Sequence, residues 1–380
     1  MKKVLIIHTK YQHIGGEDIA VENEAKFLKR NFHVETLYFS NKINNYFTDL
    51  IPFVRNQNKE SMRILNNKID KFKPDYVYVH NTWFKGSLGI FKILKRRNIK
   101  TYIKLHNFRY FCTRTYSLKK HLDEKTCCGA CGIELKKGAF FNKYFYDSYI
   151  KSLLAIRFGK KYFNILKKSN FNIVVLTNFH KNFITNLGIN EKKVYTIPNH
   201  IYIKNQDHNK DNYILYAGRI SKEKGLAQLI KSFQQVNLSQ ISLKIIGDGP
   251  LLKDLRSRYA SSKIQFLGSI PNEEVIDYIR NSKAVVSATR LFEGQPTLLC
   301  EASALGVPSI FPKTGGIEEF LPKNYKLSFK QFDYEDLKIK LKKLENEKLI
   351  EMIGVENKEF IESILDEKKI INEFEFLLND

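Results

Sequence analysis

The sequence predicts an α/β protein made of two tandem doubly wound, Rossmann-like domains that face a central cleft. Three observations support this fold class. Short apolar runs alternate with helical stretches, the alternation occurs in both halves of the 380-residue chain, and a polar segment at 204–212 separates the halves. Alternating β and α elements imply parallel sheets with helices on both faces. Ligands bind at the carboxyl ends of such strands, so we expect the functional site there.

In the first half, short runs rich in apolar residues predict buried parallel strands. They are Val4–Ile7, Val34–Phe39, Tyr76–His80, Thr101–Leu105, Ile173–Leu176 and Val194–Ile197. Between the first two runs, Val21, Ala25 and Leu28 recur at helical spacing. Acidic residues precede them and Lys29-Arg30 follows, an order that complements the helix dipole and predicts a helix.

In the second half, the same rhythm predicts strands at Tyr213–Ala217, Leu243–Ile246, Ile264–Leu267, Ala284–Ser287 and Ser309–Phe311. Helices are predicted near 224–236, 250–261 and 272–281, and the charged segment 333–380 is also helical in pattern. We therefore expect a first domain at 1–203 and a second at 204–360. The C-terminal helix, at about 360–380, is expected to pack back on the first domain.

Two carboxylates eight positions apart, Glu293 and Glu301, are the most informative pair in the chain. The first lies on a loop, and the second lies inside a helix that is predicted to begin near Gly294. The free N–H groups of a helix start suit an anion such as phosphate. One acid can then accept hydrogen bonds from sugar hydroxyls and the other from a ribose. The alternative is a surface acid and a second acid stabilised by the helix dipole.

Loops after neighbouring predicted strands carry further candidate residues. Gly218-Arg219 and Lys224 follow the first strand of the second half, where the two cations can bind phosphates. Gly247-Asp248-Gly249 follows the next strand and leaves room for a base or ribose. Together with Glu293 and Glu301, these loops indicate a nucleotide-sugar site. In the first half, Gly15-Gly16 allows a close turn at a helix N-terminus, although an ordinary βα turn needs no ligand.

These motifs resemble those of retaining glycosyltransferases of family 4, which have the GT-B fold. The resemblance covers essentially the whole chain. The residues that carry it are Gly15-Gly16, His106-Asn107, Ile197-Pro198-Asn199, Gly218-Arg219, Lys224-Gly225, Gly247-Asp248-Gly249-Pro250, and Glu293 with Glu301. The family usually has Gly after the Asn of the half boundary, whereas here His200 follows Asn199.

The resemblance implies a role for each matched residue. Arg219 and Lys224 hold the donor diphosphate, Glu293 orients the donor sugar, and Glu301 takes the ribose. Gly16 lets the backbone approach the diphosphate, and His106 contacts the sugar near the reacting carbon, unless it is a core histidine. The remaining donor-binding candidates are Gly15, Asn199, Gly218, Gly247, Asp248, Gly249, Gly294, Gln295, Pro296 and Thr297.

The resemblance also implies the chemistry. Retention at the anomeric carbon means that the acceptor attacks on the face from which the diphosphate leaves, with a donor phosphate oxygen as the base. Preorganised cations stabilise the leaving diphosphate. No Asp-x-Asp metal motif occurs, so we expect no catalytic Mg²⁺ and no cofactor besides the nucleotide-sugar substrate.

The net charge of +23 lies entirely in residues 1–200, which hold 37 basic and 14 acidic residues, while 201–380 hold 26 of each. The first half is thus expected to face something anionic: a membrane surface, a lipid-linked diphosphate or nucleic acid. A biased, lysine-rich surface is the alternative. Nine Phe and Tyr residues at 140–163 lie among bases. They suit a membrane interface, single-stranded nucleic acid, or a plain hydrophobic helix on a basic surface.

Four cysteines form a cluster: Cys112, Cys127, Cys128 and Cys131. The Cys128–Cys131 spacing is typical of a zinc knuckle, and Cys112 with Cys127 or His121 completes a tetrahedral set. The alternatives are reduced thiols and, less in keeping with a cytoplasmic protein, a disulfide. Cys300 lies in the predicted helix and is expected in the core.

The sequence therefore predicts transfer of a hexose-type unit from a nucleotide sugar to a polyprenyl-diphosphate-linked glycan, in bacterial capsule or lipopolysaccharide assembly. We expect the enzyme to be cytoplasmic and peripheral on the inner face of the plasma membrane, because no apolar run reaches the ~18–20 residues of a spanning helix. Binding to nucleic acid is not expected. Two alternatives stay open: a basic nucleic-acid-binding protein and a nucleotide-sugar epimerase of the same fold.

Overall fold

The chain folds into two compact units, seen in a computed structural model. It describes residues 1–12, 15–42, 46–108, 126–135, 141, 143–145, 148–201 and 210–379, without the side chains of 46–50. Unit 1 comprises Met1–Thr126, Leu135–His200 and Glu367–Asp380, and unit 2 comprises Cys127–Glu134 and Ile201–Asp366. Most of the predicted linker at 204–212 lies outside the described residues.

Unit 1 contains a six-stranded sheet in the order β2-β1-β3-β4-β5-β6, in which every pairing is parallel. The strands are β1 (Lys3–Lys10), β2 (His33–Ser40), β3 (Tyr76–Val79), β4 (Lys100–Leu105), β5 (Asn172–Val175) and β6 (Val194–Thr196). All six predicted apolar runs of this half are strands. The central residues of β1, β3, β4 and β5 are buried, whereas those of the edge strand β2 are only partly buried.

Helices flank this sheet: α1 (Gly16–Leu28), α2 (Tyr46–Arg55), α3 (Lys59–Phe72), α4 (Gly89–Arg96), α5 (Tyr149–Lys168) and α6 (Asn178–Asn186). The side chains of Asn58, Ser148 and Thr177 cap three of them by accepting backbone N–H groups of the first turn. Helix α2 has Pro52 in its interior, and the sequence pattern did not predict it.

Unit 2 contains a five-stranded parallel sheet in the order β11-β10-β7-β8-β9. The strands are β7 (Tyr213–Ala217), β8 (Ser242–Ile246), β9 (Ile264–Gly268), β10 (Ala284–Val286) and β11 (Ser309–Ile310). The five predicted runs are confirmed. A further parallel pair, β12 (Pro312–Lys313) with β13 (Phe329–Lys330), was not predicted, because two residues are too few to show a strand pattern.

The remaining helices are α7 (Leu226–Val236), α8 (Leu252–Tyr259), α9 (Asn272–Asn281), α10 (Thr297–Ala304), α11 (Tyr334–Lys342), α12 (Glu347–Ile364) and α13 (Glu367–Asn379). Leu229 of α7 and Leu341 of α11 are fully buried in one core cluster with Ile214 and Ile245 of the sheet. This core fixes the carboxyl ends of β7, β8 and β10, from which the site loops emerge.

Two segments do not belong to the same unit as the residues next to them in the sequence. Helix α13 returns to unit 1, where the carbonyls of Leu377 and Leu378 accept hydrogen bonds from the hydroxyls of Tyr102 (2.5 Å) and Tyr76 (2.6 Å). Cys127–Glu134, which the predicted boundaries assign to the first domain, lies in unit 2. The reason is tertiary, since this segment contacts the loop after β10.

None of the helices in the described ranges combines the length and the apolar character needed to cross a bilayer.

Candidate functional site

Three neighbouring strands of unit 2 bring the predicted donor loops to one edge of the sheet. The loops after β7, β8 and β10 begin at adjacent carboxyl ends, as the strand order requires. Gly218 and Gly247 approach so closely that a Cβ at Gly247 would lie 1.9 Å from the Gly218 carbonyl oxygen. Both residues also have positive φ, a backbone conformation that favours glycine. Ile220 N–H donates to the Asp248 carbonyl (2.8 Å), which ties the two loops together.

Glu293 is held through one carboxylate oxygen. Its Oε1 lies 2.8 Å from Lys224 Nζ and accepts a 2.8 Å hydrogen bond from Thr289 Oγ1. The Thr289 hydroxyl in turn accepts the Leu291 N–H at 3.3 Å, which orients its proton toward the carboxylate. This arrangement leaves Oε2 of Glu293 to accept hydrogen bonds from a ligand. The predicted partners Lys224 and Glu293 are therefore together, and Thr289 joins them.

The backbone behind Glu293 is fixed by two glycines that the sequence analysis did not select. Gly316 N–H donates to the Glu293 carbonyl at 2.8 Å. Gly315 has φ +60°, and a Cβ there would lie 2.3 Å from the same carbonyl oxygen. Gly225 is equally constrained: it has φ +70°, and its Cβ would lie 1.9 Å from the Ala288 carbonyl oxygen. Lys224 and Glu293 are thus positioned by close backbone packing as well as by their ion pair.

Helix α10 begins at Thr297, three residues later than predicted, with Pro296 at its N-cap. Proline has no N–H group, so this helix offers the N–H groups of its first turn from Thr297 onward. No side chain caps this end. Gly294 and Gln295 are buried in the preceding turn. The helix start beside Glu293 suits an anion, as the sequence predicted.

Glu301 lies in the second turn of α10. Burial raises the pKa of its carboxyl to about 7, from an ordinary value near 4.5. Arg219 and Asp248, by contrast, are exposed on the loops after β7 and β8. The arrangement can therefore present two cations, a helix N-terminus and two carboxylates to a ligand at this edge of the sheet.

In unit 1, Gly15 and Gly16 begin α1, as predicted. Gly15 N–H donates to Asp18 Oδ2 at 2.9 Å, and Asp18 Oδ1 lies 2.8 Å from His8 Nε2. Burial raises the pKa of Asp18, but the hydrogen bonds from His8 and the Gly15 N–H outweigh burial and hold it below its usual range. The Gly15-Gly16 turn is thus anchored to the end of β1 through a buried carboxylate.

His106 and Asn107 follow β4 on the same edge of the unit 1 sheet. Asn107 Nδ2 donates to Glu17 Oε2 at 3.3 Å, which links this loop to the start of α1. His106 Nε2 lies 2.9 Å from Nδ1 of His80, at the end of β3. His106 and the Gly15-Gly16 turn are therefore brought together inside unit 1.

Asn199 is 4% exposed and belongs to unit 1. His200, which follows it, stacks on Phe27 of α1 with ring centroids 4.5 Å apart and planes 11° apart. His200, which stands where the resembled family usually has glycine, therefore makes an aromatic contact within unit 1.

Three of the clustered cysteines lie in a segment of unit 2 that we call the cysteine knuckle, Cys127–Glu134. Cys128 N–H donates to Ile133 O (2.9 Å), and Gly132 N–H donates to Cys128 O (2.7 Å). Arg290, almost buried, donates to Cys127 Sγ at 3.5 Å and to Glu134 Oε1 at 3.4 Å. Phe292 N–H donates to the Gly129 carbonyl. The knuckle therefore packs directly on the loop that carries Thr289 and Glu293.

The predicted zinc site is only partly visible. Cys127, Cys128 and Cys131 are buried, whereas Cys112 and His121 lie outside the described residues. Within the described ranges, no three His, Cys, Asp or Glu side chains are grouped so as to hold a metal. A structural zinc ion stays a prediction, which metal analysis of the purified protein would check.

Comparison with known proteins places this geometry in context. Residues 200–362 match the family model described as "Glycosyl transferases group 1". The chain is 26% identical to an uncharacterized glycosyltransferase, MJ1178, of Methanocaldococcus jannaschii, over 97% of this chain and 96% of that protein. It is 24% identical to the amylovoran biosynthesis glycosyltransferase AmsD of Erwinia amylovora, over 82% and 80% of the two chains.

Among solved structures, Anabaena Alr3699/HepE in complex with UDP-glucose superposes with a TM-score of 0.68 at 14% identity, over the full length of both chains. This likeness shows the fold, two Rossmann-like domains of the GT-B type. Together, the family match and the relatives support a glycosyltransferase of the GT-B fold.

Proposed function

We propose that this protein is a retaining glycosyltransferase that moves a hexosyl unit from a nucleotide sugar to a lipid-linked glycan during surface polysaccharide assembly. The observation that carries the proposal is Glu293, held by Lys224 and Thr289 beside the N-terminus of α10. A carboxylate fixed through one oxygen can orient sugar hydroxyls through the other. HepE binds UDP-glucose and AmsD acts in amylovoran biosynthesis, which supports the donor class and the type of product.

In the proposed reaction, the bond between the anomeric carbon and the diphosphate oxygen breaks while the acceptor oxygen bonds to the same face of that carbon. The acceptor proton passes to a donor phosphate oxygen, and the nucleoside diphosphate leaves. Arg219 and Lys224 neutralise the charge that develops on it, a contribution that is typically worth about 10²–10³ in rate for each preorganised donor. Glu301 accepts from the ribose. No metal takes part in this scheme.

The donor assignment is tested by a thermal-shift screen against UDP-, GDP- and ADP-sugars. A ligand at about 100 times its Kd stabilises the protein by about 2.7 kcal/mol. Transfer is then measured with the best donor and polyprenyl-diphosphate-linked glycans, and the anomeric configuration of the product is read by NMR. Turnover of the donor without any acceptor would favour an epimerase instead. Inversion at the anomeric carbon would contradict the retaining mechanism.

Substitutions separate the site from the fold. Glu293→Gln, Lys224→Met and Arg219→Met are each expected to abolish transfer while leaving the unfolding temperature close to that of the native protein. Lys231→Met, at an exposed position on α7, is the matched loss of one cation and is expected to leave transfer unchanged. Full activity in all three site variants would refute the proposal.

We propose that the first two turns of α5 contact the membrane. Tyr149, Ile150 and Leu153 are exposed there (58%, 71% and 42%), and Lys143 Nζ lies 3.8 Å from the centroid of the Tyr149 ring. Exposed apolar and aromatic residues among lysines suit an anionic bilayer surface. Sedimentation with phosphatidylglycerol vesicles is expected for the native chain and reduced for Ile150→Ser/Leu153→Ser. Salt-sensitive binding to RNA or DNA without vesicle binding would favour the nucleic-acid alternative.

A further inference from the structure

A chain of buried polar side chains runs beneath the loop that carries His106 in unit 1. Lys104 is fully buried and its Nζ lies 2.6 Å from Glu24 Oε1. The other oxygen, Glu24 Oε2, lies 3.8 Å from Nε2 of the buried His80. His80 Nδ1 then lies 2.9 Å from His106 Nε2. Four side chains from β4, α1, β3 and the loop after β4 thus follow one another in space, through two contacts of hydrogen-bond length and one longer approach of 3.8 Å between Glu24 and His80.

The charge at one end of this chain is set by the Lys104–Glu24 pair. Burial raises the pKa of Glu24 and lowers that of Lys104, and each partner limits the shift of the other by favouring its charged form. A contact of 2.6 Å between an amine and a carboxyl in the interior is a charge-assisted bond. Glu24 therefore presents a carboxylate oxygen, Oε2, to His80.

The geometry at the other end is that of a single N–H···N bond. The His80 and His106 rings are 24° from coplanar with centroids 5.2 Å apart. One ring nitrogen must donate and the other accept, because neither ring is charged. Burial, together with the nearby Lys104 and His8, lowers the pKa of both histidines well below the usual value. His180 lowers that of His106 further.

The direction of this bond follows from Glu24. If His80 placed its proton on Nδ1, the lone pair of its Nε2 would face the Glu24 carboxylate in a site of low dielectric, which is repulsive. A proton on Nε2 instead faces that carboxylate, which is an attractive electrostatic contact at the 3.8 Å separation of the two atoms. Nδ1 of His80 then accepts from Nε2–H of His106, so the second nitrogen of His106, Nδ1, carries a lone pair.

We infer that Glu24 and His80 are positioning residues that hold His106 as its Nε2–H tautomer, with Nδ1 as a hydrogen-bond acceptor. Such an acceptor suits a hydroxyl of the donor sugar, and this part rests on the proposed function. Lys104 has the role of keeping Glu24 charged. His106 itself remains the residue that would touch the sugar.

The tautomer is tested directly by NMR of the full chain with ¹⁵N-labelled histidine, in which protonated and bare ring nitrogens have separate shifts. Loss of a signal in His106→Gln and in His80→Asn assigns the two rings. Both are expected to carry their proton on Nε2. In Glu24→Leu/Lys104→Met, which replaces the buried pair by apolar side chains of similar size, a mixture of tautomers is expected. The half-exposed pair Lys68–Glu35 of the same unit gives the matched control, Glu35→Leu/Lys68→Met.

Kinetics test the consequence. His80→Leu is expected to lower kcat/KM for the donor at least tenfold, whereas His80→Asn, whose Oδ1 can accept from His106, should stay within threefold of native. The Glu35→Leu/Lys68→Met control should match the native enzyme. A merely structural role for His80 would lower stability in both His80 variants without this split.

Two results would overturn the inference: a proton on Nδ1 of His106 in the native protein, or an unchanged tautomer in Glu24→Leu/Lys104→Met. The expected tautomers without transfer from any donor would instead refute the proposed function and leave the assignment of the rings intact.

Discussion

Thr289 is part of the candidate site, although neither its residue type nor its position in the sequence indicated this. It is 2% exposed in the loop that follows β10, and its hydroxyl both accepts from Leu291 N–H and donates to Glu293. A buried threonine next to a strand usually packs as a β-branched core residue. Its role comes from a contact four residues away that only the folded loop creates.

Thr289→Val, which keeps the shape and removes the hydroxyl, is expected to lower kcat/KM for the donor by about tenfold to a hundredfold. This range corresponds to the ~1.5–3 kcal/mol of a hydrogen bond to a charged group. Thr289→Ser keeps the hydroxyl and should retain most activity. Steady-state kinetics decide, and equal losses in the two variants would show that packing, rather than the hydrogen bond, matters at this position.

If Glu301 binds the ribose as proposed, donor binding depends on pH. Its pKa in the folded protein, about 7, lies above the ordinary value, so the free carboxylate costs stability as pH rises through 7. In the proposed function, a ribose hydroxyl donates to the charged form. The affinity for a nucleotide sugar is therefore expected to rise by up to about tenfold per pH unit toward pH 7 and to level off above it.

Calorimetric titration of a nucleotide sugar, whose diphosphate has no pKa in this range, measures the effect. Glu301→Gln should bind more weakly at neutral pH and show a flat profile. A native profile without slope between pH 5 and pH 7 would contradict the ribose role of Glu301.

At the scale of elements, the cysteine knuckle packs on the loop that carries Glu293 and supports its conformation. A Cβ at Gly129 would lie 2.6 Å from the Phe292 ring, and Gly132 has φ +66° beside Glu223, so both glycines permit close seating. Glu134 lies 3.0 Å from Lys222 and 3.4 Å from Arg290, on the two loops that supply Lys224 and Glu293. The knuckle thus bridges these loops.

Glu134→Ala is expected to cost about 1 kcal/mol of unfolding free energy, since its bond to Lys222 is half-exposed and its bond to Arg290 is nearly buried. The Kd for the donor should also rise about threefold, because the two loops lose their shared partner. The control is Glu318→Ala, which breaks an exposed 3.7 Å contact with Lys313. Urea unfolding and calorimetry that gave equal results for both variants would argue against this supporting role of the knuckle.

The sequence predicted the strands but not the place of the cysteine knuckle, for physical reasons. Buried parallel strands are rich in apolar residues, so the eleven predicted runs stand out from the helical stretches between them, and all are strands. The start of α10 was placed at Gly294 because a glycine turn before an apolar run resembles a helix start, but Pro296 delays it to Thr297. The seating of the cysteine knuckle in unit 2 depends on contacts with residues far along the chain, which no local pattern encodes.

At the scale of the whole molecule, each unit is assembled from segments that are distant in sequence. Helix α13 supplies buried residues to unit 1, among them Phe374 (3% exposed), which packs edge-on against Tyr78 with centroids 5.7 Å apart. Phe376, on the same helix, is 67% exposed. The C-terminal helix is thus part of the first unit's core.

Phe374→Ala is expected to lower the unfolding free energy by about 3–5 kcal/mol, the usual cost of removing a buried phenylalanine. Phe376→Ala should stay within about 0.5 kcal/mol of native. Chemical denaturation of the two variants gives the comparison. A small effect at Phe374 would mean that α13 contributes little to unit 1.

The course of the chain limits how this protein can be recombined. It passes from one unit to the other four times, at 126/127, 134/135, 200/201 and 366/367. Consider a chimera that joins residues 1–200 of this protein to the remainder of a related protein. Its unit 2 would then combine the cysteine knuckle of one protein with the loops of the other, and its unit 1 would receive the C-terminal helix of the other protein. Transplanting donor specificity therefore requires residues 127–134 and 201–366 to be exchanged together, with 367–380 kept alongside its original N-terminal half.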